Sequence, residues 1–486
     1  MVNIPKFRFG EAILGLLGFI ILIFVVLERN TYQFVIKDWF DAPVEIITSP
    51  ISTNKYTIIC HGYGGSIEMM RQLAFDISSA GSSVILFDFI GHGNNQNLLI
   101  NQPERIEGTT KQLVDQLVSI IDKVRLEFGD DADISLIGHS MASDIAIRAS
   151  KYSDISSVIA ISPYSTAITE IFPRDLLLIS GQFERHLRDA SLKQVKKVKQ
   201  DALENTIILS ESLRRKASYI TNAGHVTIVY APQTSKEIIE WLGLNQTGRS
   251  LITTQILWIA LAAVLLLRFS TKLFSFERSP DHVPNLSFVK ASLMMLVASL
   301  LAVPSAAVSY SLTPIFGFSN LAYFFGFYAL VLAVFCRLAR LDWKWVFDIR
   351  LFIVVFVLFL AISVFVNNFV GSFILNGNRF LAFVTLLFPM TLFCIFSEHI
   401  INATRQNCTF VVRMVPIVGL VLFIAIYPQK LGLMFTTIPI YVFYFMVFGY
   451  VGKFYRNHAG PLVVGICNGI YLSYAFAATN PIFGLA

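Results

Sequence analysis

The sequence predicts two structural classes in one chain: an α/β domain with a mostly parallel sheet and helices on both faces, and an all-α region that crosses a membrane several times. Three observations carry this reading. Of 486 residues, 55% are hydrophobic and 14% charged, whereas soluble domains run at about 45–50% and about 25%, so a wholly soluble protein is excluded. Between Tyr32 and Leu244, short β-branched runs alternate with amphipathic stretches, the pattern of strands joined by packed helices. Apolar stretches near the ~20 residues needed to span a bilayer lie on both sides of that region.

From the amino terminus, residues 12–27 (AILGLLGFIILIFVVL) are apolar throughout and follow Lys6 and Arg8. No small-residue cleavage site follows them, so residues 1–29 are expected to be an uncleaved signal-anchor helix. Residues 30–247 form the α/β domain. Strands are expected at Tyr56–Cys60, Ser83–Asp88, Ile134–Ile137, Ser157–Ile161, Leu176–Ser180 and Ala217–Thr221, with helices over Glu104–Phe128 and Ser191–Leu203. Residues 248–486 form the polytopic part, with eight apolar stretches near 251–268, 288–309, 320–336, 349–366, 380–397, 410–427, 431–450 and 460–478. With the anchor, nine spans are expected, and only Pro428, Gln429 and Lys430 are left for the turn between the two around 410–450.

The net charge of +6 could suggest a nucleic-acid partner. Its distribution removes that support, because residues 28–249 carry 26 acids and 22 bases while residues 250–486 carry five acids and 14 bases. The excess punctuates hydrophobic runs instead of forming a folded basic patch. With the amino terminus cytoplasmic, one set of loops holds Lys6, Arg8, Arg268, Lys272, Arg278, Arg337, Arg340, Lys344, Arg405, Arg413, Lys453 and Arg456; the other holds Arg249, Arg379 and Lys430. Twelve cations against three is a positive-inside asymmetry that places the α/β domain on the outer face. Lys290, Arg350 and Glu398 are read as lying near span ends, which disfavours a proton-coupled transporter. Cys60 is the one cysteine within 28–249 and no CxxC pair occurs there, so neither a disulfide within that region nor a structural metal is expected.

Chemistry concentrates in three loops. Gly138-His139-Ser140-Met141-Ala142 follows one expected strand and opens a helical stretch, the strand–turn–helix context of a nucleophile elbow. His61-Gly62-Tyr63-Gly64-Gly65 follows the strand ending at Cys60, and Asp88-Phe89-Ile90-Gly91-His92-Gly93 ends the next. Together, in this order, these motifs resemble the α/β-hydrolase family over roughly residues 50–243. The resemblance implies an α/β-hydrolase fold, no cofactor, Ser140 as nucleophile and His225 as its base. The acid is expected on the loop Gly181-Gln182-Phe183-Glu184, with Glu184 favoured and Asp189 as the alternative. Backbone N–H groups of Tyr63 and Met141 would form the oxyanion hole, while His61, Asp88 and His92 would hold turns together.

Only about fourteen residues join the strand ending near Ile161 to the one beginning near Leu176, so no lid is expected there. The expected activity is that of a membrane-integrated serine hydrolase acting on an ester, thioester or amide. Tethering to the bilayer favours a lipid or small acyl ester as substrate. Peptidase or acyltransferase chemistry on the same triad, and a non-catalytic receptor of the same fold, stand as alternatives. The order of anchor, outer hydrolase and polytopic tail also looks like that of GPI-inositol deacylases.

Overall fold

The structure, a computed structural model, describes residues 9–29; 34–245 apart from 40, 41, 52, 104, 211 and 212; 286–341 apart from 309; 377–404; 409–485 apart from 432 and 433; and scattered positions within 258–269 and 349–375. The chain divides into two compact units, residues 25–256 and residues 1–24 with 257–486.

The first unit is built on one nine-stranded sheet. Its strands are β1 (Phe34–Trp39), β2 (Ala42–Ile47), β3 (Lys55–Cys60), β4 (Ser83–Phe87), β5 (Asp133–His139), β6 (Ser157–Ile161), β7 (Asp175–Gly181), β8 (Ile208–Ser210) and β9 (Leu213–Ile220). Their order is β1-β2-β4-β3-β5-β6-β7-β9-β8. The central strands run parallel, while β2 joins β4 and β8 joins β9 antiparallel. Every residue of β4 and β6 is buried, as expected of parallel strands covered on both faces.

Helix α2 (Ile67–Ser79) presents Met70, Leu73, Ala74 and Ile77 to Ile59, Val84, Leu86, Ile137 and Ile159, and Ile238 and Trp241 of α6 (Pro232–Trp241) join the same core. Each fully buried Leu or Ile contributes about 1.5–3 kcal/mol over an exposed one. Helix α3 (Lys111–Phe128) buries Leu113, Leu117, Ile120, Ile121 and Val124 at helical spacing. It is shorter than the stretch expected from Glu104, because residues 106–110 form a separate turn kinked at Gly108. Helix α5 (Arg185–Lys196) begins earlier than expected, directly after Glu184, and buries Ser191 and Val195 one turn apart. The hairpin β1–β2 and the edge strand β8 are not among the expected strands; all three pair antiparallel at the sheet margins. Residues 162–174, between β6 and β7, contain neither helix nor strand, so no helical lid is inserted there.

In the second unit, α1 (Phe9–Arg29) packs Gly15 and Gly18 against Phe269 and Leu266. The carboxyl-terminal helices are α7 (Phe288–Ala302), α8 (Phe318–Leu338), α9 (Gly377–Ala403), α10 (Thr409–Met414), α11 (Pro416–Ile426), α12 (Pro428–Leu431) and α13 (Thr437–Thr479), with α4 (Met141–Ala149) belonging to the first unit. Among the described residues, five helical segments are long and apolar enough to cross a membrane: Phe288–Ala307, Phe318–Leu338, Gly377–Ala403, Thr409–Ile426 and Pro461–Thr479. Helix α13 crosses α9 closely at Gly465, where a Cβ would stand 2.5 Å from the Ile395 Cα, and again at Gly469 against Thr391. This is the small-xxx-small spacing by which apolar helices gain contact without a hydrophobic driving force.

Three sequence expectations change in this unit. The stretches near 431–450 and 460–478 are parts of one 43-residue helix, α13, so Lys453 and Arg456 lie inside a helix and not in a loop. Pro461 removes one backbone donor without ending the helix, a defect that neighbouring helices tolerate in bundles of this kind. Arg379, Glu398 and Arg413 are buried, not placed in loops or at exposed span ends. Arg413 Nη2 lies 2.7 Å from Glu398 Oε1, and Asn468 Nδ2 donates to the same oxygen at 3.1 Å. Arg379 Nη1 donates to the carbonyls of Ala477, Ala478 and Asn480 at 2.8–3.1 Å, which satisfies acceptors that a helix end leaves without intrahelical partners. Burial removes Arg379 and Arg413 from the loop-cation pattern. The stretches near 251–268 and 349–366 fall largely outside the described residues.

Candidate active site

Ser140 follows the last residue of β5 and precedes α4. Its backbone has φ 55° and ψ −118°, a left-handed strain for a non-glycine residue that turns the side chain above the sheet edge. The turn is held by the Ser140 N–H donating to the Ile161 carbonyl at 2.8 Å and the Ser143 N–H donating to the Ser140 carbonyl at 2.9 Å. Gly138 is required there, because a Cβ would overlap the carbonyl of Ala142 where strand and helix cross. Ala142, at the last small position of the motif, is fully buried and fits without glycine.

Glu184 stands three residues beyond β7 and His225 five residues beyond β9, so both arrive at the same carboxyl edge of the sheet as Ser140. Their loops are laced together: Gln182 N–H donates to the Ile220 carbonyl at 2.9 Å and Phe183 N–H to the Ala223 carbonyl at 3.1 Å. Across this lacing, His225 Nδ1 lies 2.6 Å from Glu184 Oε1 and His225 Nε2 lies 2.8 Å from Ser140 Oγ. The sequence thus named three residues, from 85 positions apart, that the fold brings into one hydrogen-bonded line.

The other Glu184 oxygen, Oε2, accepts from the Gly181 N–H at 2.6 Å and from Ser162 Oγ at 2.8 Å. Burial raises the Glu184 pKa, but the bonds from His225, Gly181 and Ser162 together outweigh it and hold the carboxyl below its ordinary value. A carboxylate so placed fixes the imidazole ring with Nδ1 protonated and Nε2 free to accept the serine proton. Asp189 lies exposed on α5, and the carboxylate bonded to His225 is that of Glu184.

Ser162 is not among the residues the sequence motifs single out; its only mark in the sequence is its place directly after the expected strand Ser157–Ile161, and in the structure its φ is 48°.

The His61–Gly65 loop packs onto the elbow. A Cβ on Gly62 would stand 3.1 Å from the Ser140 Cβ and 3.0 Å from His139 Nδ1, so this glycine allows the approach. Tyr63 is the next residue in the loop, and Met141 opens α4, whose first N–H groups have no acceptor within the helix. His61 accepts from the Phe89 N–H at 3.1 Å through Nε2 and donates to the Gly62 carbonyl at 2.9 Å through Nδ1. Burial lowers its pKa to about 4, so it is neutral. Asp88 accepts from the Ile67 and Asn94 N–H groups at 2.9 and 2.8 Å. Both residues tie one loop to another and neither reaches Ser140. Among the described residues, no group of three His, Cys, Asp or Glu side chains is placed to hold a metal ion.

Residues 52–223 match the family model described as serine aminopeptidase, S33. No curated protein sequence matches the chain. Among solved structures, an esterase/lipase from an uncultured bacterium is similar at 17% identity over 43% of this chain and 82% of its own, with a TM-score of 0.32. An α/β serine hydrolase without lid from Xanthomonas campestris is similar at 15% identity over 43% and 91%, with a TM-score of 0.32. A dienelactone hydrolase from Anabaena variabilis is similar at 16% identity over 43% and 94%, with a TM-score of 0.31. By its sheet order and elbow, the unit formed by residues 25–256 has the α/β-hydrolase fold, and residues 52–223 within it match that family model.

Proposed function

We propose that this chain is a membrane-integrated serine hydrolase that cleaves a lipid or small acyl ester through an acyl-Ser140 intermediate. The observation that carries the proposal is the line Glu184–His225–Ser140, with contacts of 2.6 and 2.8 Å. Ser140 Oγ attacks the substrate carbonyl carbon as its proton passes to His225 Nε2. The oxyanion is met by the N–H groups of Tyr63 and Met141. His225 then gives its proton to the leaving alkoxide, so the ester bond breaks and an alcohol departs. A water, deprotonated by His225, attacks the acyl carbon and releases the carboxylic acid and free Ser140.

The preference for an apolar acyl substrate draws support from exposed apolar side chains close in sequence to the site residues. Tyr164, Phe183 and Val226 are 69, 71 and 54% exposed, and each stands within two residues of Ser162, Glu184 or His225. Large apolar side chains left in water around a polar centre mark a surface that meets apolar ligand. The serine aminopeptidase family match favours a second reading, an amide or peptide substrate on the same residues.

The hydrolase domain is assigned to the outer face of the membrane. Without the buried Arg379 and Arg413, and without Arg337, Lys430, Lys453 and Arg456, which lie inside helices, the loop cations still stand at eight against one.

Labelling of the purified full chain by a fluorophosphonate tests the activity. Loss of labelling in Ser140→Ala supports the proposal, and absence of labelling in folded wild type refutes it. Comparing turnover of acyl esters with that of aminoacyl amides separates the two substrate readings.

A further inference from the structure

The residue before the nucleophile has a part in the site beyond completing the motif. His139 is the last residue of β5, is 3% exposed, and has its Nε2 2.8 Å from the backbone carbonyl of His225. A carbonyl only accepts, so Nε2 carries the proton and the ring is the Nε2–H tautomer. Nδ1 is buried and makes no hydrogen bond, which a lone pair tolerates better than an N–H would. That edge faces Gly62, where a Cβ would stand only 3.0 Å away. The ring also lies against the His225 imidazole, with centroids 5.3 Å apart. His139 therefore touches two loops of the proposed machinery, the base loop through a hydrogen bond and the oxyanion loop through packing, from the strand adjoining Ser140.

We propose that His139 is a positioning residue that holds the His225 backbone and the Gly62–Tyr63 loop in register with Ser140. The inference rests on the Ser140–His225–Glu184 reading above. The His225 loop is also held by its lacing to the β7 loop through the Phe183 N–H to Ala223 carbonyl bond at 3.1 Å, and by local bonds such as the Gly224 N–H to Thr227 Oγ1 at 2.9 Å and the Ile228 N–H to the Gly224 carbonyl at 3.0 Å. Those bonds shape the loop but do not tie it to β5. Burial keeps the His139 pKa down near 4, so the tie is a neutral hydrogen bond across the neutral range.

The test uses the full chain in detergent, with wild type, His139→Phe and His139→Gln. Phenylalanine keeps a ring but loses the donor; glutamine keeps a donor at similar reach. The second-order rate of fluorophosphonate labelling, kcat and KM on a p-nitrophenyl acyl ester, and Tm are measured for each. His139→Phe is expected to lose about 10–100-fold in labelling rate and kcat with KM little changed, because displacements near 1 Å cost up to that much. His139→Gln is expected to recover most of the loss. Wild-type rates in His139→Phe, or equal losses in folded Phe and Gln variants, overturn the proposal. A wild type that folds but does not label defeats the underlying serine-hydrolase reading instead. Nitrogen-15 spectra of the wild-type histidines give a check that needs no variant: an Nδ1–H tautomer at His139 overturns the inference, and an Nε2–H tautomer supports it.

Discussion

Replacing Glu184 by glutamine should do more than remove a charge. Oε2 of Glu184 receives two hydrogens, from the Gly181 N–H at 2.6 Å and the Ser162 hydroxyl at 2.8 Å. A glutamine amide can satisfy both only by placing its carbonyl oxygen there, which puts its NH2 where Oε1 now meets His225 Nδ1 at 2.6 Å. Two donors cannot face each other, so Nδ1 must give up its proton and Nε2 must take it. The imidazole then presents N–H to Ser140 Oγ, 2.8 Å away, and cannot accept the serine proton. A tautomer inverted in this way costs about 10⁴-fold in kcat, or about 5 kcal/mol of transition-state stabilisation. The global fold should survive, since both backbone and serine donors keep an acceptor. The assay is kcat on a p-nitrophenyl ester with labelling rate as a second readout, and Tm measured in parallel. A folded Glu184→Gln variant within ten-fold of wild type would refute the reasoning.

Asp189→Asn should leave kcat within about two-fold and Tm unchanged, because surface changes away from specific contacts are usually within about 0.5 kcal/mol; a large loss would move the acid to Asp189. The Glu184 carboxyl is held below its ordinary value, so its contribution to stability is present above the unfolded carboxylate value of about 4.3 and disappears as pH falls through the lower folded value. The Tm gap between wild type and Glu184→Gln should accordingly be steady near neutrality and close only in acid; a gap that closes at pH 6 contradicts the assigned hydrogen bonds. Gly138→Ala should lower stability by about 1–3 kcal/mol from overpacking, since its Cβ meets the Ala142 carbonyl, and unfolding in detergent reads this directly. In the membrane unit, Arg413→Met leaves Glu398 charged and buried and should cost about 3–5 kcal/mol, with Glu398→Gln/Arg413→Met recovering most of it; a double variant no better than the single would show that the pair is not coupled. Protease added from the outer side should cut within residues 30–245, and protection of that region from outside would reverse the assigned topology.

Local sequence determined much of this protein by itself. The β-branched runs over β3 to β7 and β9 read as strands because they are too short for helices and alternate with amphipathic stretches. The glycines at 62 and 138 with Ser140 between strand and helix marked the elbow, since only such residues allow two backbones to approach and a serine to stand above the sheet. The ends of the expected helices were less legible, as with α5, whose start is set by the turn at Glu184 and not by its charged sequence. Tertiary structure alone decided the rest. The loop motif favours Glu184 over Asp189, but only the lacing of the β7 and β9 loops makes the Glu184 carboxylate meet His225. Ser162 and His139 gain their partners only when the strands lie side by side, because a hydroxyl or imidazole takes its role from the group that folding brings within 3 Å. Glu398, Arg379 and Arg413 likewise read as loop or span-end charges until helix packing buries them, since local hydropathy records the cost of burying a charge but not the partner that offsets it.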